Sequence, residues 1–152
     1  MFGACSVVER EKQMVLSIRL KTPYQDLPKA IGESYHKIYA YMQTIGEMPV
    51  GAPFVGYFNM DMENLDVEIG YPVSKELQGK GEIKFSQIPA GKYATMIYTG
   101  PYHEMKAAYR ELSNWMEAHQ IKPNNRAYES YLNDPAEVAE SDLETRILLG
   151  AE

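Results

Sequence analysis

The chain has 152 residues, a formal charge of −6 and 45% apolar residues, enough for one compact domain that buries roughly two-thirds of its unfolded surface. Acidic side chains are dispersed among apolar ones rather than blocked into a tail, which argues against nonspecific attraction to nucleic acid or an anionic membrane. Cys5 is the single cysteine, so an intramolecular disulfide framework is excluded and a cytoplasmic location is expected.

Glu9, Arg10, Glu11 and Lys12 interrupt the start before any secretory apolar run develops, and no stretch approaches the roughly 20 apolar residues of a membrane span. From Gln13 to Leu20, Met14, Leu16, Ile18 and Leu20 alternate with Val15, Ser17 and Arg19, the period of a strand. Leu27, Ala30, Ile31, Ser34, Tyr35, Ile38 and Met42 then follow helical spacing. Pro28 is tolerated in the first turn, and Gly46-Glu47-Met48-Pro49 supplies the stop. Pro53 to Asn59 and Leu65 to Val73 read as a hairpin broken by Asp61, Glu63 and Asn64. Ser74 to Ile88 reads as a connector with a short strand at Ile83 to Phe85.

A second strand is expected from Tyr93 to Thr99 and a second helix from Glu104 to about His119. Its stripe is Met105, Ala108, Tyr109, Leu112, Trp115, Met116 and His119. Ala127 to Asn133 and Asp142 to Leu149 close the pattern. The segment Lys21-Thr22-Pro23-Tyr24-Gln25-Asp26-Leu27 recurs as Thr99-Gly100-Pro101-Tyr102-His103-Glu104-Met105. Shifting Leu27, Ala30, Ile31 and Ile38 by 78 positions lands on Met105, Ala108, Tyr109 and Met116. The expected fold is α+β, made of duplicated β-α-β-β units over approximately 13–73 and 83–149 within a single domain, 1–152. A curved antiparallel sheet carries the helices on one face. Period two then places Val15, Ser17 and Arg19, with Tyr93, Thr95 and Ile97, on the other face.

Glu129 and Tyr131 stand two residues apart in an extended run and therefore share a sheet face, offering an anionic acceptor beside an aromatic ring to an amphipathic or cationic ligand. Tyr57, Tyr71 and Tyr93 are candidate wall or donor groups, and Glu68 is a candidate partner for Glu129 across the internal repeat. Each has a bland reading as a packing or solvated residue. His36, His103, His119 and Cys5 lack metal-ligand spacing, and Gly79-Lys80-Gly81 lacks that of a phosphate loop, so no metal or cofactor is expected.

Ile88-Pro89-Ala90-Gly91-Lys92-Tyr93, Gly100-Pro101-Tyr102, Trp115 and Tyr128-Glu129-Ser130-Tyr131-Leu132-Asn133-Asp134-Pro135 together resemble the GyrI-like family, the bacterial transcription-activator effector-binding domain, over about Gln13 to Leu149. The resemblance implies a central, aromatic ligand cleft for drugs, dyes or other amphipathic effectors, with Glu129 matching the family's frequently used pocket glutamate. The function it implies is small-molecule binding as a stand-alone effector-binding or sequestering protein, tied to multidrug binding and transcription regulation. A separate regulatory protein or gyrase is an implied partner, and no direct duplex DNA binding is expected. Hydrolysis of cyclopropanoid or other strained electrophiles is an alternative, with Glu129, Tyr131 and Tyr71 as its catalytic candidates. Asp142-Leu143-Glu144-Thr145-Arg146-Ile147 departs from the family pattern by placing arginine where glutamate is commoner, leaving open whether Arg146 changes the pocket's charge.

Overall fold

The computed structural model describes residues 1–152 and belongs to the α+β class. In chain order its elements are β1 (Ser6–Arg10), β2 (Gln13–Thr22), α1 (Leu27–Thr44), β3 (Phe54–Tyr57), β4 (Leu65–Pro72), β5 (Ile83–Ile88), β6 (Gly91–Thr99), α2 (Lys106–Ala118), β7 (Pro123–Tyr131) and β8 (Glu144–Ala151). They form two compact units. The first is Glu11–Pro89, and the second joins Met1–Arg10 to Ala90–Glu152.

In the first unit the strands run β3-β4-β2-β5, all antiparallel. Leu16 stands opposite Tyr71 and Phe85, and Ile18 opposite Ile69 and Ile83. This apolar face meets Ile38 and Met42, which lie one turn apart on α1 and close the core with Val73 and Leu77. Helix α1 carries Pro28 in its first turn, where a missing N–H costs nothing, and gives way to Gly46 at φ 71°. Ser17 and Arg19 face the opposite way, across from Gly70 and Glu68.

The second unit repeats the plan in the order β1-β6-β8-β7. Ala94, Met96, Tyr98 and Ile147 form the sheet side of its core, and Ala108, Leu112 and Met116 the α2 side. Tyr93, Thr95 and Ile97 project from the face opposite α2, as period two requires. Strand β7 bulges between Pro123 and Ala127, with Asn125 at φ 67°.

Pairing differs from sequence order in one respect. The strand expected at Ile83 to Phe85 is β5, and its partner is β2, so by hydrogen bonding it completes the first unit. Strand β1, which the sequence pattern does not reveal, completes the second by pairing with β6. Ser6 opposes Thr95 and Lys84 opposes Ser17, so both members of the pair are displaced by the same 78 residues. The repeat is therefore β-β-α-β-β, and each repeat's first strand pairs with the second strand of the other repeat. Alternation specifies which face a residue takes, but not which neighbour a strand chooses.

Candidate ligand-binding site

In β7, Glu129 stands opposite Ile147 and Tyr131 opposite Thr145, which puts both on the face that α2 covers. Glu129 is only 7% exposed. Its Oε2 accepts a hydrogen bond from the Tyr109 hydroxyl at 2.5 Å, and its Oε1 accepts one from Tyr131 at 2.8 Å. Tyr109 reaches the carboxylate from the buried side of α2, next to Ala108. The Tyr102 ring stands edge-on to Tyr131 at 5.5 Å, adding an aromatic wall from the turn before α2.

No lysine, arginine or histidine forms an ion pair with Glu129. Both phenols favour its anion, but burial outweighs them and pushes the Glu129 pKa upward. Burial also raises the Tyr102 phenol, with help from the charges of Asp134 and Glu129. Beside Tyr131, the Thr145 hydroxyl is buried and has no hydrogen-bond partner. The cluster is thus a buried carboxyl group held by two phenol hydroxyls, with aromatic rings beside it and no basic side chain paired to it.

The other sequence candidates occupy different places. Tyr93 lies on the opposite face of the same sheet, with its ring 6.2 Å from Tyr128 in an edge-on contact. It does not share Glu129's surface. Burial is the main cause of its raised pKa, with Tyr128 adding to it while Arg126 and Arg10 oppose it. In the first unit, Tyr71 faces α1 and contacts Tyr35 and Tyr39 at 5.2 and 6.2 Å. Glu68 takes the reverse face of that sheet, 5% exposed, and accepts a 2.6 Å hydrogen bond from Ser17 Oγ. Tyr57 ends β3 opposite Val67, partly buried. The mixed polar and aromatic face expected opposite the helices does exist, but Glu129 and Tyr131 are on the helix side. Arg146 is on the reverse face too, opposite Ser130 and Ile97, and does not neutralise Glu129.

Sequence reasoning missed Tyr109 as a polar contributor because it fits the apolar stripe of α2. A signal was present, since the equivalent position in the first repeat is Ile31 and only the second repeat places a hydroxyl there. No helix is long and apolar enough to cross a membrane.

The family model described as the GyrI-like small molecule binding domain matches residues 4–151, and the chain belongs to that family. Among solved structures it is similar to the EcmrR C-terminal domain, at 23% identity and a TM-score of 0.82 over 100% of this chain and 99% of that one. It is similar at 25% identity and a TM-score of 0.82 to EcmrR in an EcmrR–DNA complex, covering 99% of this chain but spanning only 57% of that one. SAV2435 bound to tetraphenylphosphonium shares the fold at 8% identity and a TM-score of 0.67, over 98% of this chain and 94% of that one. No curated protein matches the chain in sequence.

Proposed function

We propose that the second unit binds an amphipathic aromatic cation against Glu129, and that this chain is an effector-binding or sequestering protein for such compounds. The observation that carries the reading is a buried carboxylate bonded to Tyr109 and Tyr131 with no basic side chain to balance it. A buried charge without a partner is costly. A delocalised cation supplies the missing charge without demanding hydrogen bonds of its own, and its rings can pack on Tyr102 and Tyr131. The Thr145 hydroxyl next to Tyr131 is a further polar contact for such a ligand. The binding of tetraphenylphosphonium by SAV2435, which shares the fold, makes that ion the natural first probe.

Calorimetric titration with tetraphenylphosphonium and with the neutral triphenylphosphine oxide tests the reading. Glu129→Gln should weaken the cation by about tenfold or more while changing the neutral compound little, because it removes the charge and keeps the side chain's size. Equal losses for both compounds, or no saturable binding of either by the wild-type protein, would reject it.

A further inference from the structure

The reverse face of the second unit holds a guanidinium without a counterion. Arg146 lies on β8 between Ile97 of β6 and Ser130 of β7. Its neighbours Thr145 and Ile147 are on the α2 side, so Arg146 projects from the other. It is partly buried, and its one hydrogen bond runs from Nη1 to Thr95 Oγ1 at 3.4 Å. Thr95 Oγ1 donates its own proton to the Ile147 carbonyl at 2.9 Å, so it meets the guanidinium with a lone pair. That contact orients Arg146 without neutralising it. No carboxylate stands within ion-pair distance, including Glu144, two residues away on the same strand face.

The first unit shows what the same framework does with the opposite charge. Ser17 and Glu68 precede Thr95 and Arg146 by 78 residues each, and there the hydroxyl donates to the carboxylate at 2.6 Å. Toward Arg146 the Thr95 hydroxyl serves as acceptor, its proton going to the Ile147 carbonyl, and it takes up only one of the Arg146 N–H groups. An arginine offers five donors in a planar fork suited to a carboxylate or phosphate. Further positive charge stands on this face: Arg126 donates from Nη1 to the Tyr128 hydroxyl at 3.4 Å, and Arg10 and Arg126 are both close enough to Tyr93 to favour its phenolate. Across the row, the partly buried Ile97 offers an apolar contact and the partly buried Ser130 a hydroxyl.

We propose that this face is an anion site for a small apolar carboxylic acid, with the carboxylate on the Arg146 guanidinium and Ser130 hydroxyl and the apolar body on Ile97. The site lies across the sheet from Glu129, so it does not depend on the cation reading.

Titration of the full chain with benzoate, benzamide and inorganic phosphate, followed by calorimetry and by the Arg146 Nε–H resonance, tests the assignment. Benzoate should saturate and shift that resonance, benzamide should not bind, and phosphate should bind more weakly. Arg146→Gln should weaken benzoate by about tenfold or more. If Arg146→Gln does not fold, Arg146→Lys, which keeps the charge but not the fork, should still weaken benzoate several-fold. Benzoate affinity unaffected by the Arg146 substitutions, or no saturation in the wild type, would overturn the site. Phosphate binding as tightly as benzoate would overturn the apolar-acid assignment.

Discussion

Two opposing effects set the proton affinity of Glu129. Removal from water favours the neutral acid and the Tyr109 and Tyr131 hydroxyls favour the anion, with burial the larger effect. A carboxyl whose pKa is raised by folding contributes stability that is fully present below the unfolded pKa and lost as pH rises through the folded one. Glutamine does not titrate. The stability of Glu129→Gln relative to wild type should therefore climb as pH rises from the ordinary glutamate range through the raised pKa of the folded protein, read as the difference between their urea midpoints. A difference that stays flat would show that burial does not govern this carboxyl. If Glu129 holds a cation as proposed, the affinity for tetraphenylphosphonium measured by calorimetry should also rise with pH through the raised pKa, because a bound cation favours the anion and expels the proton. Part of this chemistry was legible in the sequence, since Glu129 and Tyr131 are two apart in a strand and must share a face. The third member was not: Tyr109 obeys the helical apolar stripe, and nothing in that period says that its hydroxyl meets a residue 20 positions away.

Among the elements, β2 and β4 show how tightly the scaffold constrains a polar position. Gly70 stands opposite Ser17, and a Cβ there would come within 2.3 Å of the Leu16 carbonyl oxygen and 2.8 Å of the Ser17 Cβ. Backbone in a strand ladder cannot swing aside as a flexible side chain can. Gly70→Ala should therefore destabilise the protein by about 1–3 kcal/mol, the usual range for overpacking. It should also disturb the bond from Ser17 to Glu68 more than that from Tyr131 to Glu129, because Glu68 is paired with Arg19, next but one along β2 from Ser17. Chemical denaturation measures the first effect and side-chain NMR shifts of the two glutamates the second; a midpoint equal to wild type would mean that the strands accommodate the methyl. Strand and helix positions were legible because alternation in Gln13 to Leu20 and 3.6-residue spacing in both helices report a buried face directly. The need for glycine at position 70 was not legible, because it arises from a neighbouring strand 53 residues earlier in the chain, at Ser17.

At the scale of the molecule, the repeat was visible in the sequence, whereas the exchange of first strands between repeats was not. The same offset relates β1 on β6 to β5 on β2, so each unit takes an edge strand from outside its own repeat. Sequence similarity records which segments are equivalent, and it cannot record which copy of an equivalent strand fills an edge. The exchange assigns the first ten residues to the stability of the second unit. Besides the β1 ladder, the Gly3 N–H donates to the Ile97 carbonyl at 2.8 Å and the Thr99 N–H to the Met1 carbonyl at 2.9 Å. Removing Met1–Arg10 would leave the outer edge of β6 without hydrogen-bond partners and would uncover Cys5's place against the α2 core. In native-state hydrogen exchange, the amides of β6 that point toward β1 should then lose protection. The amides joining β2 to β5 should keep theirs, although β2 follows the deletion directly in sequence and β6 lies some 80 residues further on. Protection lost first in β2 would show that β1 supports its sequence neighbour, and the strand exchange would have to be abandoned as the account of how the second unit is completed.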